Sequence, residues 1–347
     1  FIPMLSGTGG NSGSQSSVAV IRALSLLEML VKAGCPLVFK GGTALMLILG
    51  KSAHRLSIDI DVICPPGTNI EDYLKSFADF GFINLELVER KQRDDADIPK
   101  SHSKFFYQIA YRNDTDAQSY ILLDVLYEDI HYFRTQQIAI DCPFIRLEGK
   151  PLMVTVPSAE DILGDKLTAF APNTTGIPYY KNGRSCSMEI AKQLYDVGRL
   201  FENVSDLQIT KEAFRKIAVV ELSYRSFGTD IGQVFNDIRQ TALCISTRGK
   251  AGEGDFDLIQ DGIIRVKSFM YKQRYLIDHA IIDAARAAYL ATLIEKGINE
   301  IESYSNNPAD IKDMVIRPSL PNKLNKLRSN LPEAYYYWAK TSELLEA

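Results

Sequence analysis

Phe39-Lys40-Gly41-Gly42-Thr43-Ala44-Leu45, followed by Arg55-Leu56-Ser57-Ile58-Asp59-Ile60-Asp61, is the stretch that decides the fold of this chain. A glycine pair lies between a strand-like run, Leu37 to Lys40, and a helical run, Thr43 to Leu49, that Gly50 ends. The second block enters a strand expected over Ser57 to Cys64 and closed by Pro65-Pro66-Gly67. Strand residues two apart project from one face. Asp59 and Asp61 can therefore aim two carboxylates at one point, among Ile58, Ile60, Val62 and Ile63. Carboxylates so placed repel each other unless a cation lies between them. Hard oxygen ligands suit Mg²⁺, which is usually held by one or two carboxylates plus substrate phosphates. Gly41 and Gly42 leave backbone N–H groups open at a helix start, where phosphate oxygens bind, and the Thr43 hydroxyl adds a donor. A phosphate cradle beside a magnesium pair is what nucleotidyl transfer requires.

Outward from this stretch, Ser17 to Ala33 carries helical apolar spacing (Val18, Ile21, Leu24, Leu27, Leu30), with Gly34 where a C-terminal cap belongs. Ile70 to Phe80 is expected to be helical. Strand-like runs follow over Ile83 to Arg90, Lys104 to Tyr111, Tyr120 to Tyr127 and Leu152 to Val156, with a polar turn at Asn113 to Asp116. Asp124 is the only charge in the apolar run Ile121 to Tyr127. A lone buried carboxylate is costly unless paired or metal-bound. As a third metal carboxylate it could also accept the proton of an attacking hydroxyl.

After Pro157 the pattern is almost wholly helical. Ser158 is a plausible cap for Ala159 to Phe170. Helices are expected over Met188 to Phe201, Lys211 to Leu222, Ile231 to Ile245, Leu258 to Lys272, Ile277 to Lys296 and Pro332 to Leu345. The division is a flexible leader (1–17), an α/β domain (18–156) and a helical domain (157–347). Between the first two of these helices, Ala171 to Ser187 reads as a long loop carrying Lys181 and Arg184; loops of that length are often functional or disordered. Lys192 and Asp196, one turn apart, could pair along their helix. Tyr335-Tyr336-Tyr337-Trp338 reads as packing. Arg317 to Arg328, with Lys323 and Lys326, is the best local candidate for touching RNA phosphates.

Composition narrows the class. At 347 residues, 46% hydrophobic and 24% charged, the chain has the make-up of a globular protein of two domains. A net charge of −4 excludes a strongly basic nucleic-acid-coating protein but leaves room for a local basic patch. The five cysteines are scattered and contain no C-x-x-C pair, and the four histidines show no ligand spacing. A disulfide framework and a zinc site are therefore not expected, and a reducing cytoplasm is the expected compartment. No uninterrupted apolar run approaches the roughly 18 residues of a membrane span.

Taken together, these motifs resemble the AbiEii/AbiGii-type nucleotidyltransferase toxins, within the DNA polymerase β-like superfamily. The resemblance is carried by Lys40 to Leu45, by Arg55-x-Ser57-x-Asp59-Ile60-Asp61, by Glu160 to Leu167 and by Lys192-Gln193-Leu194-Tyr195-Asp196. It implies an α+β fold: an N-terminal polymerase β-like domain with a mixed sheet, then an all-helical C-terminal domain completing the active site. It also implies that Gly41, Gly42 and Thr43, with Arg55 and Ser57, hold the triphosphate, while Asp59 and Asp61 hold Mg²⁺. Lys166 would contact nucleotide phosphates and Asp196 would be an active-site acid. The family's last motif has an arginine four residues before the lysine and an aspartate directly after it; here those positions are Met188 and Gln193. An arginine expected soon after the Lys166-Leu167 motif is absent from Ala171-Pro172-Asn173.

The leading expectation is a Mg²⁺-dependent nucleotidyltransferase toxin of a toxin–antitoxin or abortive-infection system. It would transfer NMP from an NTP to RNA, at a tRNA 3′ end, with a cognate antitoxin protein as partner and no membrane association. The alternatives are a nucleotidyltransferase acting on a protein or antibiotic-like acceptor, and a non-catalytic nucleotide-binding module.

Overall fold

The computed structural model describes residues 12–88, 100–107, 119–142, 149–204, 206–225, 228, 230–271 and 274–347. The chain divides into two compact units, one of 1–158 with 268–273 and the other of 159–267 with 274–347. The Asn113 to Asp116 turn and the ends of the strand-like runs at Arg90 and Tyr111 lie outside the described residues.

The first unit opens with α1 (Ser12–Lys32), which begins ahead of the apolar spacing that outlines it. Its buried stripe is Val20, Ala23, Leu24, Leu27 and Leu30. Gly34, at φ 75°, ends it in the left-handed conformation, and the Cys35 N–H closes back onto the Leu30 carbonyl at 3.0 Å. Then come β1 (Val38–Lys40), α2 (Gly41–Leu49), β2 (Ile60–Cys64), β3 (Asn84–Val88), β4 (Lys100–Tyr107), β5 (Ser119–Tyr127), β6 (Thr135–Ala139) and β7 (Met153–Pro157). Ile70 to Phe80 forms two short 3₁₀ turns, Ile70–Tyr73 and Phe77–Phe80, rather than one helix.

Five strands make one sheet in the order β1-β2-β5-β4-β3. The central β2–β5 pair is parallel and the other pairs are antiparallel, so the sheet is mixed. Alternation separates its two faces. Ile60 and Val62 of β2, Phe105 and Tyr107 of β4, and Ile121, Leu123 and Val125 of β5 enter the core with α1. The intervening residues occupy the other face. β6 and β7 form a separate antiparallel pair. Arg55 bridges Met270, and the Leu56 N–H donates to the Phe269 carbonyl at 2.8 Å, which ties Phe269 and Met270 into this unit.

The second unit contains α3 (Ala159–Ala169), the hairpin strands β8 (Tyr180–Lys181) and β9 (Arg184–Ser185), α4 (Ser187–Phe201), α5 (Leu207–Ser223), α6 (Ile231–Ser246), α7 (Phe256–Val266), α8 (Ile277–Lys296), α9 (Leu327–Asn330) and α10 (Pro332–Glu346). The hairpin falls in the segment expected to be a loop. α8 is buried almost all round, and its alanines (Ala284, Ala285, Ala287, Ala288, Ala291) let α4, α6 and α10 pack closely against it. Tyr335, Tyr336, Tyr337 and Trp338 of α10 are buried in this packing, and the Trp338 indole donates to Ser246 Oγ at 3.0 Å. Among the described residues no helix is long and apolar enough to cross a membrane.

Candidate active site

The glycine pair is placed by a tight junction. β1 ends at Lys40 and α2 begins at Gly41 with no intervening loop. Gly41 has φ 77°, a left-handed backbone that favours glycine. A Cβ there would stand 2.0 Å from Asp61 Oδ2, so the absent side chain is the space that the Asp61 carboxylate occupies. A Cβ on Gly42 would meet Ser57 Oγ at 2.7 Å and an Arg55 guanidinium nitrogen at 2.9 Å. Thr43 is buried and its Oγ1 donates to the Asp59 carbonyl at 2.7 Å. The two sequence blocks that carry the resemblance thus fold onto one another, with the first turn of α2 facing Arg55, Ser57 and Asp61.

The sheet register extends this cluster. Lys40 pairs with Asp61, Asp61 with Asp124, and Asp124 with His102. Residues paired across neighbouring strands share a face. A cation, two carboxylates and an imidazole therefore form one row across β1, β2, β5 and β4, on the face opposite the core. His102 is buried and its Nδ1–H donates to Asp124 Oδ1 at 2.5 Å. Asp124 is half-buried rather than buried, because it shares its face with Leu122 and Leu126 while Ile121, Leu123 and Val125 take the core. β2 starts at Ile60, so Asp59 lies just ahead of the strand and is exposed.

Asp61 and Asp124, adjacent in register and next to a residue without a Cβ, are an oxygen donor set that fits Mg²⁺. Among the described residues no group of three or more His, Cys, Asp or Glu is gathered for a metal. The structure brings Asp61 and Asp124 together as register partners, with Asp59 just ahead of β2.

In the second unit Lys166 of α3 and Asp196 of α4 are both buried and form an ion pair, Nζ to Oδ2 3.2 Å. Lys166 also donates to Gln193 Oε1 at 3.0 Å. Asp196 thus has a cation from the neighbouring helix. Gln193, where the family pattern carries an aspartate, takes part through its neutral amide oxygen. Of the segment Arg317 to Arg328, Arg317 pairs with Glu343 and Glu346, and Arg328 donates to the Ile311 and Lys312 carbonyls.

His102 and Lys40 are the members of the row that sequence reasoning did not assign. The strand read from Lys104 left His102 outside it, although the alternation of Ser101 to Tyr107 puts His102 opposite Phe105 and Tyr107. Lys40 stood within the quoted motif and had no role there.

The first turn of α2 is set against Arg55, Ser57 and Asp61, and the class of enzyme follows from the family match: a nucleotidyltransferase. The chain belongs to the AbiEii family: residues 24–311 match the family described as nucleotidyl transferase AbiEii toxin, type IV TA system. Membership makes it a nucleotidyltransferase toxin and implies an NTP substrate and a cognate antitoxin. The expected family and the mixed α+β fold are both found. Among solved structures it is similar to JHP933 from Helicobacter pylori, at 16% identity and a TM-score of 0.40, over 84% of this chain and 95% of that one. It is also similar to MenT4, a nucleotidyltransferase toxin of Mycobacterium tuberculosis H37Rv, at 14% identity and a TM-score of 0.41, over 84% of this chain and 87% of that one. A search of curated proteins gave no match.

Proposed function

We propose that this nucleotidyltransferase transfers NMP from an NTP to RNA, at the 3′ end of a tRNA, in the cytoplasm and with Mg²⁺ as its metal. The observation that supports it best is the approach of the Asp61 carboxylate to Gly41, beside Asp124 in register. Carboxylates next to a helix N-terminus suit a metal-bound triphosphate.

In this reading Gly41, Gly42 and Thr43 orient the phosphates together with Arg55 and Ser57. Asp59, Asp61 and Asp124 are the metal carboxylates. The acceptor hydroxyl oxygen forms a bond to the α-phosphorus, the bond to pyrophosphate breaks, and Asp124 takes the hydroxyl proton. His102 holds Asp124 in the orientation that this requires. When bound, Mg²⁺ neutralises charge on the phosphates and favours the ionised acceptor hydroxyl. Lys166 is assigned to the nucleotide phosphates and Asp196 to the role of active-site acid. The cognate antitoxin is a protein that opposes this activity.

Incubation with each α-labelled NTP, total RNA and Mg²⁺ tests the proposal. Label should enter RNA with the wild-type protein and be lost with EDTA or with Asp61→Ala. Label that enters protein or small metabolites instead, or no label in RNA from any NTP, would overturn the RNA acceptor.

A further inference from the structure

The β8–β9 hairpin turns on Asn182 and Gly183, at φ 51° and 73°. Two left-handed residues in a two-residue loop are the turn whose twist matches the strands, and Asn-Gly is its preferred pair. The register sets Lys181 directly opposite Arg184. The two cations therefore share a face, with Cβ atoms about 5 Å apart, and both are exposed. Like charges directly opposite each other destabilise a hairpin. Among the described residues neither is in an ion pair. An anion between them would relieve the repulsion.

The approach to this tip is held by buried groups. Asp237 of α6 accepts from the Asn173 N–H at 2.9 Å, from Asn173 Nδ2 at 2.7 Å and from Thr174 Oγ1 at 2.8 Å. Burial pushes the Asp237 carboxyl upward, against these hydrogen bonds, which pull it down. Arg225 donates to the Thr174 carbonyl and, at 2.7 Å, to the Gly176 carbonyl. Gly176 is packed so closely that a Cβ would stand 2.4 Å from the Ala169 carbonyl oxygen. The Tyr179 hydroxyl is buried against Gly254, where a Cβ would approach it to 2.5 Å. The segment expected to be a long loop is thus a braced arm with two cations at its end.

We propose that the β8–β9 tip is a phosphate clamp for the acceptor RNA, with Lys181 and Arg184 gripping its backbone. This rests on the RNA reading above. Small ligands are held in concave pockets, whereas the residues of this tip are exposed, which suits a long polyanion passing over it. Arg184 offers the planar fork that matches a phosphate and Lys181 a mobile point charge. Arg317 and Arg328, by contrast, already have intramolecular acceptors. α4 starts directly after the hairpin, and Asp196 lies about 14 Å along its axis from the first turn.

The test is fluorescence anisotropy of a labelled RNA stem with a single-stranded 3′ overhang, across a salt series. The proteins are wild type, the double variant K181A/R184A and the charge-retaining K181R/R184K, each also titrated with Mg-NTP by calorimetry. Loss of two single-strand phosphate contacts should weaken binding roughly tenfold at low salt and reduce the slope of log K against log salt by about 1.4. NTP binding should be unchanged, and K181R/R184K should restore the wild-type slope. Equal slopes for wild type and K181A/R184A would overturn the clamp while leaving the RNA reading intact. A wild-type protein that binds no RNA at any salt would overturn the RNA reading itself. Loss of binding to a polyglutamate peptide, with RNA binding unchanged, would reassign the tip to an acidic protein and sink the clamp.

Discussion

His102 donates to Asp124 at 2.5 Å from the neighbouring strand, and the two are also backbone register partners. The imidazole is therefore held by the sheet as well as by its hydrogen bond, and it limits the directions in which the Asp124 carboxylate can turn. Partners of this kind set the geometry of a metal carboxylate, and losing one costs about 10–100-fold in metal affinity or activity. His102→Ala should raise the Mg²⁺ concentration for half-maximal nucleotidyl transfer by about that factor. His102→Gln, which can still donate, should recover part of it. A metal titration with the same half-point for all three proteins would remove His102 from the site.

Gly41 and Gly42 should separate backbone strain from side-chain crowding. At Gly41 an added Cβ meets the left-handed φ and the Asp61 carboxylate together. The conformation alone costs about 1–2 kcal/mol, so Gly41→Ala should lower the denaturant midpoint and abolish transfer. At Gly42 the obstacles are the ends of the Ser57 and Arg55 side chains, which can move aside. Gly42→Ala should keep most of the stability and lose activity through displaced phosphate contacts. Chemical denaturation alongside an NTP-transfer assay checks both. Equal stability of the two variants would count against the close Asp61–Gly41 approach.

The legible parts of this fold are those that the chain specifies locally. The glycine pair is required by a backbone that passes from strand to helix without a loop, and the apolar stripe of α1 is visible in its own spacing. The Asp61–Asp124 pair depends on which strands become neighbours, and no local pattern states that β2 lies parallel to β5. The same holds for His102 and for the ion pair between Lys166 and Asp196. β6, Thr135-Gln136-Gln137-Ile138-Ala139, escaped because its exposed, polar start gives no alternation. Each strand of the Lys181–Arg184 hairpin is only two residues long. Asn182-Gly183 was the one signal for it, and a turn pair without flanking apolar alternation does not stand out.

The cysteines give a direct check on burial. Cys35, Cys64, Cys142 and Cys244 are buried and unbridged, and Cys186 is partly exposed. The Cys35 and Cys64 sulfurs lie 3.9 Å apart, and their mutual hydrogen bond holds the Cys35 thiol well above its usual range. Brief treatment of the native protein with N-ethylmaleimide, followed by peptide mass spectrometry, should find label on Cys186 first. The other four should react only on unfolding. Early label on Cys35 or Cys64 would contradict the packing of the end of β2 against the α1–β1 turn.

The Lys166–Asp196 pair allows structural and chemical roles to be told apart. Lys166 has 9% of its side-chain surface exposed and Asp196 2%, so each screens the other where water cannot. Removing one partner of such a buried pair costs about 3–5 kcal/mol. Lys166→Ala should therefore lower stability by roughly that amount. Replacing both partners of a buried pair with apolar groups of similar size is often neutral or stabilising, so K166M/D196L should regain most of the loss. Because Lys166 and Asp196 are also assigned chemical roles, the double variant should fold and yet transfer no nucleotide. Urea denaturation and the transfer assay, run on the same preparations, decide the matter. A stable double variant with wild-type activity would reduce the pair to a structural tie between α3 and α4, and an unstable one would point to Gln193 needing the lysine.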